Sequence, residues 1–495
     1  MTKRSKIPKY RKIHRVLGLL LIGVTLLACI SGIILNHRAF FSTIDLPRSI
    51  LSADYSYENG RQAALRGSVN DDEGNLLFFG DAGVWLKKNS EILAYNQGFP
   101  SGADNNKVYD IAWFNGRFIA ATHFGLFTRM ADDKSWVLLQ AMGESRYVDL
   151  FHKGDSLVIL SRDNAFITDD VQTFTQINLP APQGYKKKTS LFTFFWNVHS
   201  GEILGVYGKI AVDFLALILM LLALTGFVRF YLPRKLKGKA KNNFLLGLFR
   251  KNRRIHGFFG VYIGGFLGVT IVTGMFLRPP LLIPIANVDV GIIPGTHLDS
   301  INPWQDKLRK GLWDNEIQSF VFATKDGVYR LKDQKIELFT SQPPISVMGC
   351  TVLQSLGDEE YLVGSFSGLF LWQSMTGEVR NAMTGKVHRN QKGGRPISGD
   401  MITGIVEGEG YYYIDYRKGI VPLSAKFDEI ILPPSFTHDA RMSLWNFALE
   451  VHTGRIFESL VNMLYILYVP FSGLLYLVVI GTGYWWYVRP KFLQK

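Results

Sequence analysis

Cysteine is nearly absent: Cys29 and Cys350 are the only two in 495 residues. One lies in an apolar run and the other in a distant polar region, so no disulfide framework is available. The phosphate-loop pattern G-x-x-x-x-G-K-[ST], the H-E-x-x-H helix and the G-x-S-x-G elbow are also missing, and no dinucleotide fingerprint follows a strand. The chain therefore carries no nicotinamide or flavin module of its own. Acid is missing locally. Residues 1–15 hold seven Lys or Arg, residues 232–255 hold nine, and the tail adds Arg489, Lys491 and Lys495, with no Asp or Glu in these segments. Those nineteen charges account for the net +14, and the rest of the chain is slightly acidic. The basic balance thus gives no support to nucleic-acid binding; anchoring against anionic lipid head groups explains it.

Long apolar runs are what the chain does have. Val16 to Leu35 is twenty residues without a charge, the length that crosses a bilayer. Ile210 to Val228 is a second run, with Asp213 near its start, Gly257 to Leu277 a third, and Val461 to Val488 a fourth, which closes on Tyr484, Trp485, Trp486 and Tyr487. The first run is read as a retained span rather than a signal peptide, because it is long, no A-x-A site follows it and a near copy occurs in mid-chain. The basic segments place both termini and the central loop in the cytoplasm. The expected layout is a cytoplasmic N-terminus (1–15), a span (16–37), an outer β region (38–200), a span (201–231), a basic loop (232–255), a span (256–278), a second outer β region (279–452), a span (456–488) and a cytoplasmic tail (489–495). The fold class is a membrane protein of four transmembrane helices in two duplicated pairs, with an extracytoplasmic all-β domain.

That β domain reads as propeller-like. The segments 116–129 (G-R-F-I-A-A-T-H-F-G-L-F-T-R) and 360–373 (E-Y-L-V-G-S-F-S-G-L-F-L-W-Q) share a strand, a small residue, G-L-F and a second strand. Segments 80–88 and 323–333 are variants with G-V and an aromatic. About three such units per half suggest one propeller built jointly from the two inserted regions, since three blades alone leave open edges. Two separate small β domains are the competing reading.

Histidines mark the duplication most clearly. K-I-H-R-V-L-G (His14) and R-I-H-G-F-F-G (His256) open the first and third spans; N-V-H-S-G-E-I (His199) and E-V-H-T-G-R-I (His452) precede the second and fourth. His14 to Gly32 and His256 to Gly274 are both 18 residues. Topology places His14 with His256 on the cytoplasmic face and His199 with His452 on the outer face. Imidazoles at the ends of apolar helices are what a non-covalently held haem needs for axial ligation. No C-x-x-C-H exists, so the haem would be b-type, one or two per chain. His37, in L-N-H-R, is a fifth candidate for the outer site, and its counterpart in the second repeat is Pro279. The bland alternative is that such histidines bond head groups or helix ends. His123, His152, His297, His388 and His438 have no ligand spacing and are read as surface or loop residues. Gly260, Gly264 and Gly268 permit close approach of another helix, the commoner use, or of a flat porphyrin, and the dipeptides Ser31-Gly32, Thr225-Gly226, Thr273-Gly274 and Thr482-Gly483 are read as helix-packing positions. Asp213 is read as an interfacial carboxylate, with a proton or quinol-site group as the alternative, and Pro470 as a kink.

The spans and their flanks resemble the PepSY-associated transmembrane family: K-I-H-R-V-L-G with I-S-G-I-I-L-N-H-R, V-H-S-G-E-I-L-G with L-T-G-F-V-R-F-Y-L-P-R-K, R-I-H-G-F-F-G with V-T-G-M, and V-H-T-G-R-I-F with G-T-G-Y-W-W-Y-V-R-P-K. The resemblance implies a bacterial inner-membrane protein associated with iron uptake, in a family with members that bind two haems and reduce ferric siderophores in the periplasm. The outer regions show no PepSY domain, so the resemblance leaves their partner open. Two functions follow. In the first, electrons from quinol or a cytoplasmic donor cross through haems on His14, His256, His199 and His452 to a ferric siderophore or other iron complex, which would make the protein a ferric reductase. In the second, a haem-free membrane anchor carries a propeller-like module that binds or senses a periplasmic ligand or protein partner.

Overall fold

The structure, a computed structural model, describes residues 8–492 apart from 90, 140–145, 237–242, 287, 347, 389–398 and 409. The basic stretches 1–7 and 237–242 and the terminal Lys495, part of the orientation signal, lie outside the described residues. The chain divides into a helical unit (Met1–Phe41, Lys187–Asp299, Leu444–Lys495) and a β unit (Ser42–Lys186, Ser300–Ser443).

The helical unit contains α1 (Lys9–Leu20), α2 (Ile22–Asn36), α3 (Leu191–Ser200), α4 (Gly205–Leu236), α5 (Asn243–Tyr262), α6 (Gly264–Phe276), α7 (Leu444–Thr453) and α8 (Tyr468–Phe492). The stretches Glu202–Leu232 and Arg455–Trp485 are each long and apolar enough to cross a membrane. The other two expected spans are bent: α1 meets α2 at 55°, and Leu246–Tyr262 meets α6 at 58°, so the described residues hold two such helices, or four if each bent pair is one span. The breaks fall at Leu21 and Ile263, each seven residues beyond the histidine that opens its span. At the first break Thr25 donates its hydroxyl to the Leu21 carbonyl at 2.8 Å, and the Tyr476 hydroxyl lies 2.8 Å from Thr25 Oγ1, so the polar groups there find partners inside an apolar segment. The second break interrupts the Gly260, Gly264, Gly268 series, which is therefore not one continuous packing stripe. Pro470 falls in the first turn of α8, where proline removes no helical hydrogen bond, so the expected kink is absent there.

The short helices before the long spans are a matched pair. Ser190 caps α3 by accepting from the Thr193 amide at 3.1 Å. Both helices end on a glycine in the left-handed region, Gly201 (φ +79°) and Gly454 (φ +76°), which explains the glycine in H-S-G and H-T-G. A Cβ on Gly201 would stand 2.2 Å from the Gly208 carbonyl oxygen, and one on Gly454 would stand 2.4 Å from the Tyr468 ring, so the turn also needs the space.

The β unit consists chiefly of six small antiparallel sheets, at 67–94, 108–138, 147–177, 308–338, 350–381 and 402–422; the first five have four strands and the last has three. Successive sheets pack face to face. Leu77 and Phe118 share a core between the first and second, Ile119 and Leu157 between the second and third, and Val158 and Phe322 between the third and fourth. Val321 and Tyr361 then join the fourth to the fifth, and Leu369 and Ile405 the fifth to the sixth. The ring closes where Phe78 and Trp85 of the first meet Val406 and Ile414 of the last, and the Glu407 amide donates to Ser68 Oγ at 2.8 Å. The two inserted regions thus form one closed, propeller-like ring, three sheets from each, and not two separate β domains. Closure leaves each sheet face covered by a neighbour.

The seam between the two regions is ionic as well as apolar. The innermost strands of the second, third and fourth sheets each slip register near their start, ahead of Asp110, Asp149 and Lys310. Lys310 Nζ lies 2.5 Å from Asp149 Oδ1 and 3.3 Å from Asp110 Oδ2, while the Gly311 amide donates to Asp149 at 2.7 Å. Burial raises the Asp149 carboxyl well above the usual carboxylate range; Lys310 opposes that shift and Asp110 adds to it. Lys310→Met leaves the buried Asp149 and the partly buried Asp110 without their cation and is expected to destabilise the β unit by about 3–5 kcal/mol. A carboxyl whose folded pKa is raised adds stability at low pH and loses it as pH rises through that pKa. The loss measured by thermal unfolding should therefore be smaller at pH 5 than at pH 8; an equal loss at both would contradict the assignment.

Candidate functional site: two histidine pairs held across the halves

His14 on α1 and His256 on α5 face each other with ring centroids 6.2 Å apart and planes at 84°. His199 on α3 and His452 on α7 form a second pair at 6.0 Å and 57°. All four belong to the helical unit, and each pair takes one ring from each repeat.

Every ring rests on a Ser/Thr-Gly dipeptide. His14 donates Nδ1–H to the Val479 carbonyl at 2.9 Å, with Thr482 Oγ1 at 3.4 Å, and packs on Gly483 of α8. His199 donates to the Thr270 carbonyl at 2.8 Å and packs on Gly274 of α6. His256 donates to Thr225 Oγ1 at 2.9 Å and packs on Gly226 of α4; His452 donates to Ser31 Oγ at 2.9 Å and packs on Gly32 of α2. In every case the hydrogen-bonding carbonyl, or the one beside the ring, belongs to the residue three before the Ser or Thr: Val479, Thr270, Leu222 and Ala28. The dipeptides are therefore not only packing positions. They are four copies of one seat, and each seat lies in the repeat opposite its histidine.

The glycine leaves room for the ring. A Cβ would stand 2.6 Å from His199 Cε1 at Gly274, 2.9 Å from His14 Cε1 at Gly483, and 3.4 Å from the corresponding atoms of His452 and His256 at Gly32 and Gly226. Burial lowers His199, and burial followed by its nearness to His199 lowers His452 to about 4.

His37 is placed elsewhere. Its Nε2 lies 2.7 Å from Asp213 Oδ2, and Asn36 donates to the other oxygen of the same carboxylate at 2.8 Å. The last residue of α2 and the residue that follows it thus contact Asp213 of α4, a partner that is not legible in the sequence. Among the described residues, His123, His152, His297, His388 and His438 join no group of three or more His, Cys, Asp or Glu able to hold a metal ion.

The PepSY-associated TM region matches residues 11–489 of this chain. The chain belongs to that family. This PepSY-associated TM protein is a membrane protein with a β-rich domain, and the match covers the inserted β regions as well as the spans. No curated protein matches it. Solved structures similar to it include the extracellular domain of a hybrid two-component system from B. thetaiotaomicron, at TM-score 0.35 and 9% identity over 74% of this chain and 34% of that one. The chain thus spans about a third of that protein's length. Virginiamycin B lyase from Staphylococcus aureus gives TM-score 0.32 and 8% identity over 72% of this chain and 79% of that one. YCF48 from Cyanidioschyzon merolae gives 0.29 and 8% over 73% and 94%.

Two imidazoles bound end-on to one metal ion at about 2.0 Å each place their ring centroids about 6 Å apart. Both pairs have that spacing. The Nε2 atoms make no hydrogen bond among the described residues, so a second nitrogen is available on every ring. Two ligands do not complete a bare ion, which asks for four or more; they do complete a metal that brings its own equatorial donors, as in haem. The residues fit that group.

The glycine seats have a direct test. Gly274→Ala and Gly483→Ala are expected to destabilise the helical unit in detergent by about 1–3 kcal/mol through overpacking. Gly18→Ala, with nothing within 4 Å of its Cβ, should be neutral or slightly stabilising. Equal behaviour of the three variants in thermal unfolding would contradict the seats.

Proposed function

We propose that the protein is a bacterial inner-membrane electron carrier that holds two b-type haems, one between His14 and His256 and one between His199 and His452, and reduces ferric iron or a ferric siderophore on the periplasmic side. The observation that carries this reading is the duplicated pair of facing, neutral-capable imidazoles at ligating distance, each with Nδ1 engaged and Nε2 open. Haem bound there supplies reversible one-electron chemistry. The chain's own residues fix the two ligand pairs at separate depths. His14 to Ser31 and His256 to Thr273 are both 17 residues, a path of about 25 Å along a helix before the bends shorten it.

The basic segments support cytoplasmic termini and a cytoplasmic central loop, with both β regions outside. The His14–His256 pair then faces the electron source, either quinol or a cytoplasmic donor, and the His199–His452 pair faces the acceptor. The propeller-like unit supplies the extracytoplasmic surface on which an iron complex or a periplasmic protein docks. His37 with Asp213 serves as a structural pair and not as a ligand.

The test is a visible spectrum of the detergent-purified chain, reduced minus oxidised. Soret and α bands of b-type haem are expected, with loss of about half the haem in His14→Ala or His256→Ala and of the other half in His199→Ala or His452→Ala, while His37→Ala keeps both. A colourless wild-type preparation, loaded with haem or not, would sink the reading and leave a membrane-anchored binding module.

A further inference from the structure

The four seats carry more than packing, because their hydrogen bonds decide which ring nitrogen holds the proton. Ser31 donates its hydroxyl to the Leu27 carbonyl at 2.6 Å, and Thr225 donates to Leu221 at 2.7 Å. With their own hydrogens engaged, both hydroxyls can only accept from the imidazole. The Val479 and Thr270 carbonyls have no hydrogen to give, so they too only accept. All four histidines are thereby fixed as the Nδ1–H tautomer, and the lone pair is left on Nε2.

We propose that Ser31, Thr225 and the carbonyls of Val479 and Thr270 are positioning groups that set the tautomer, ring orientation and donor strength of the haem-ligating imidazoles, through a crossed arrangement in which each repeat ligates with its own histidines and orients those of the other. This rests on the haem reading for its redox consequence, but the tautomer lock stands on the protein alone. Each pair combines one carbonyl-held ring (His14 or His199) with one hydroxyl-held ring (His256 or His452). The hydroxyl-held rings can be altered by substitution, and the carbonyl-held rings serve as internal controls. A hydrogen bond from Nδ1–H raises the basicity of the opposite nitrogen and stabilises the more highly charged metal state.

The experiment uses the full chain with Ser31→Ala and Thr225→Val, and the conservative Ser31→Thr and Thr225→Ser. In the haem-free, 15N-histidine-labelled protein, NMR should show Nδ1–H tautomers at all four positions. Ser31→Ala should weaken this state at His452 alone, and Thr225→Val at His256 alone, because only the Ala28 or Leu222 carbonyl is then left beside the ring. Titration with haem b should then show on the order of a ten- to hundred-fold weaker affinity at the affected site only. The midpoint potential of that site should rise, and the conservative variants should restore both values. Wild-type rings found as Nε2–H, or Ala and Val variants that keep wild-type tautomer, affinity and potential, would overturn the proposal. A wild type that binds no haem defeats the electron-carrier reading, and the tautomer spectra still decide this one.

Discussion

A neutral imidazole has one hydrogen and one lone pair, and committing the first fixes the direction of the second. In this protein the Nδ1 hydrogen of all four paired histidines is committed to a helix of the opposite repeat. The consequences spread outward. The seat needs glycine where the ring lies flat, a hydroxyl or carbonyl one turn away, and a partner helix close enough to bring the two together. The partner helices are α8 for His14, α4 for His256, α6 for His199 and α2 for His452, so the pairing of helices in the unit follows the pairing of rings with seats. Neither repeat contains a complete site. Duplication alone would have made two independent copies; crossing the contacts makes one object.

The helix breaks and caps belong to the same design. Leu21 and Ile263 interrupt the opening helices seven residues past their histidines, letting His14 and Ser31, or His256 and Thr273, lie on segments that run in different directions. Gly201 and Gly454 follow α3 and α7 as left-handed residues, so that His199 and His452 sit in the last turn of short helices that precede the long ones. In the β unit the corresponding constraint is closure. Three sheets from one inserted region are followed by three from the other, and at the seam between the third and fourth Lys310 joins Asp149 and Asp110.

Much of this is legible in the chain itself, for physical reasons. The four histidines stand out, and so does the 18-residue spacing of His14 and His256 to glycine, because both repeats keep them. The sheets are visible through G-L-F and G-V-aromatic turns, where Gly368 (φ +130°) and Gly327 (φ +145°) take backbone angles that a side chain would strain. The role of Ser31, Thr225, Thr273 and Thr482 is not legible. A Ser/Thr-Gly pair in an apolar helix looks the same whether it packs another helix or receives an imidazole, and the partners lie as far apart as 465 residues. The breaks are hidden too, because Leu21 and Ile263 are ordinary apolar residues whose geometry is imposed by neighbours. His37 is a ligand candidate from sequence because it sits at the outer end of its span; its contact with Asp213, 176 positions away, is not legible there.

The most direct test of the crossed arrangement is an experimental map of the full chain in a lipid nanodisc at a resolution that shows ring orientation. The account predicts two flat densities, one bracketed by the Nε2 atoms of His14 and His256 and the other by those of His199 and His452, with every Nδ1 on its Ser/Thr-Gly seat of the opposite repeat. A ring turned to offer Nε2 to its seat, or a density ligated by His37, would contradict it.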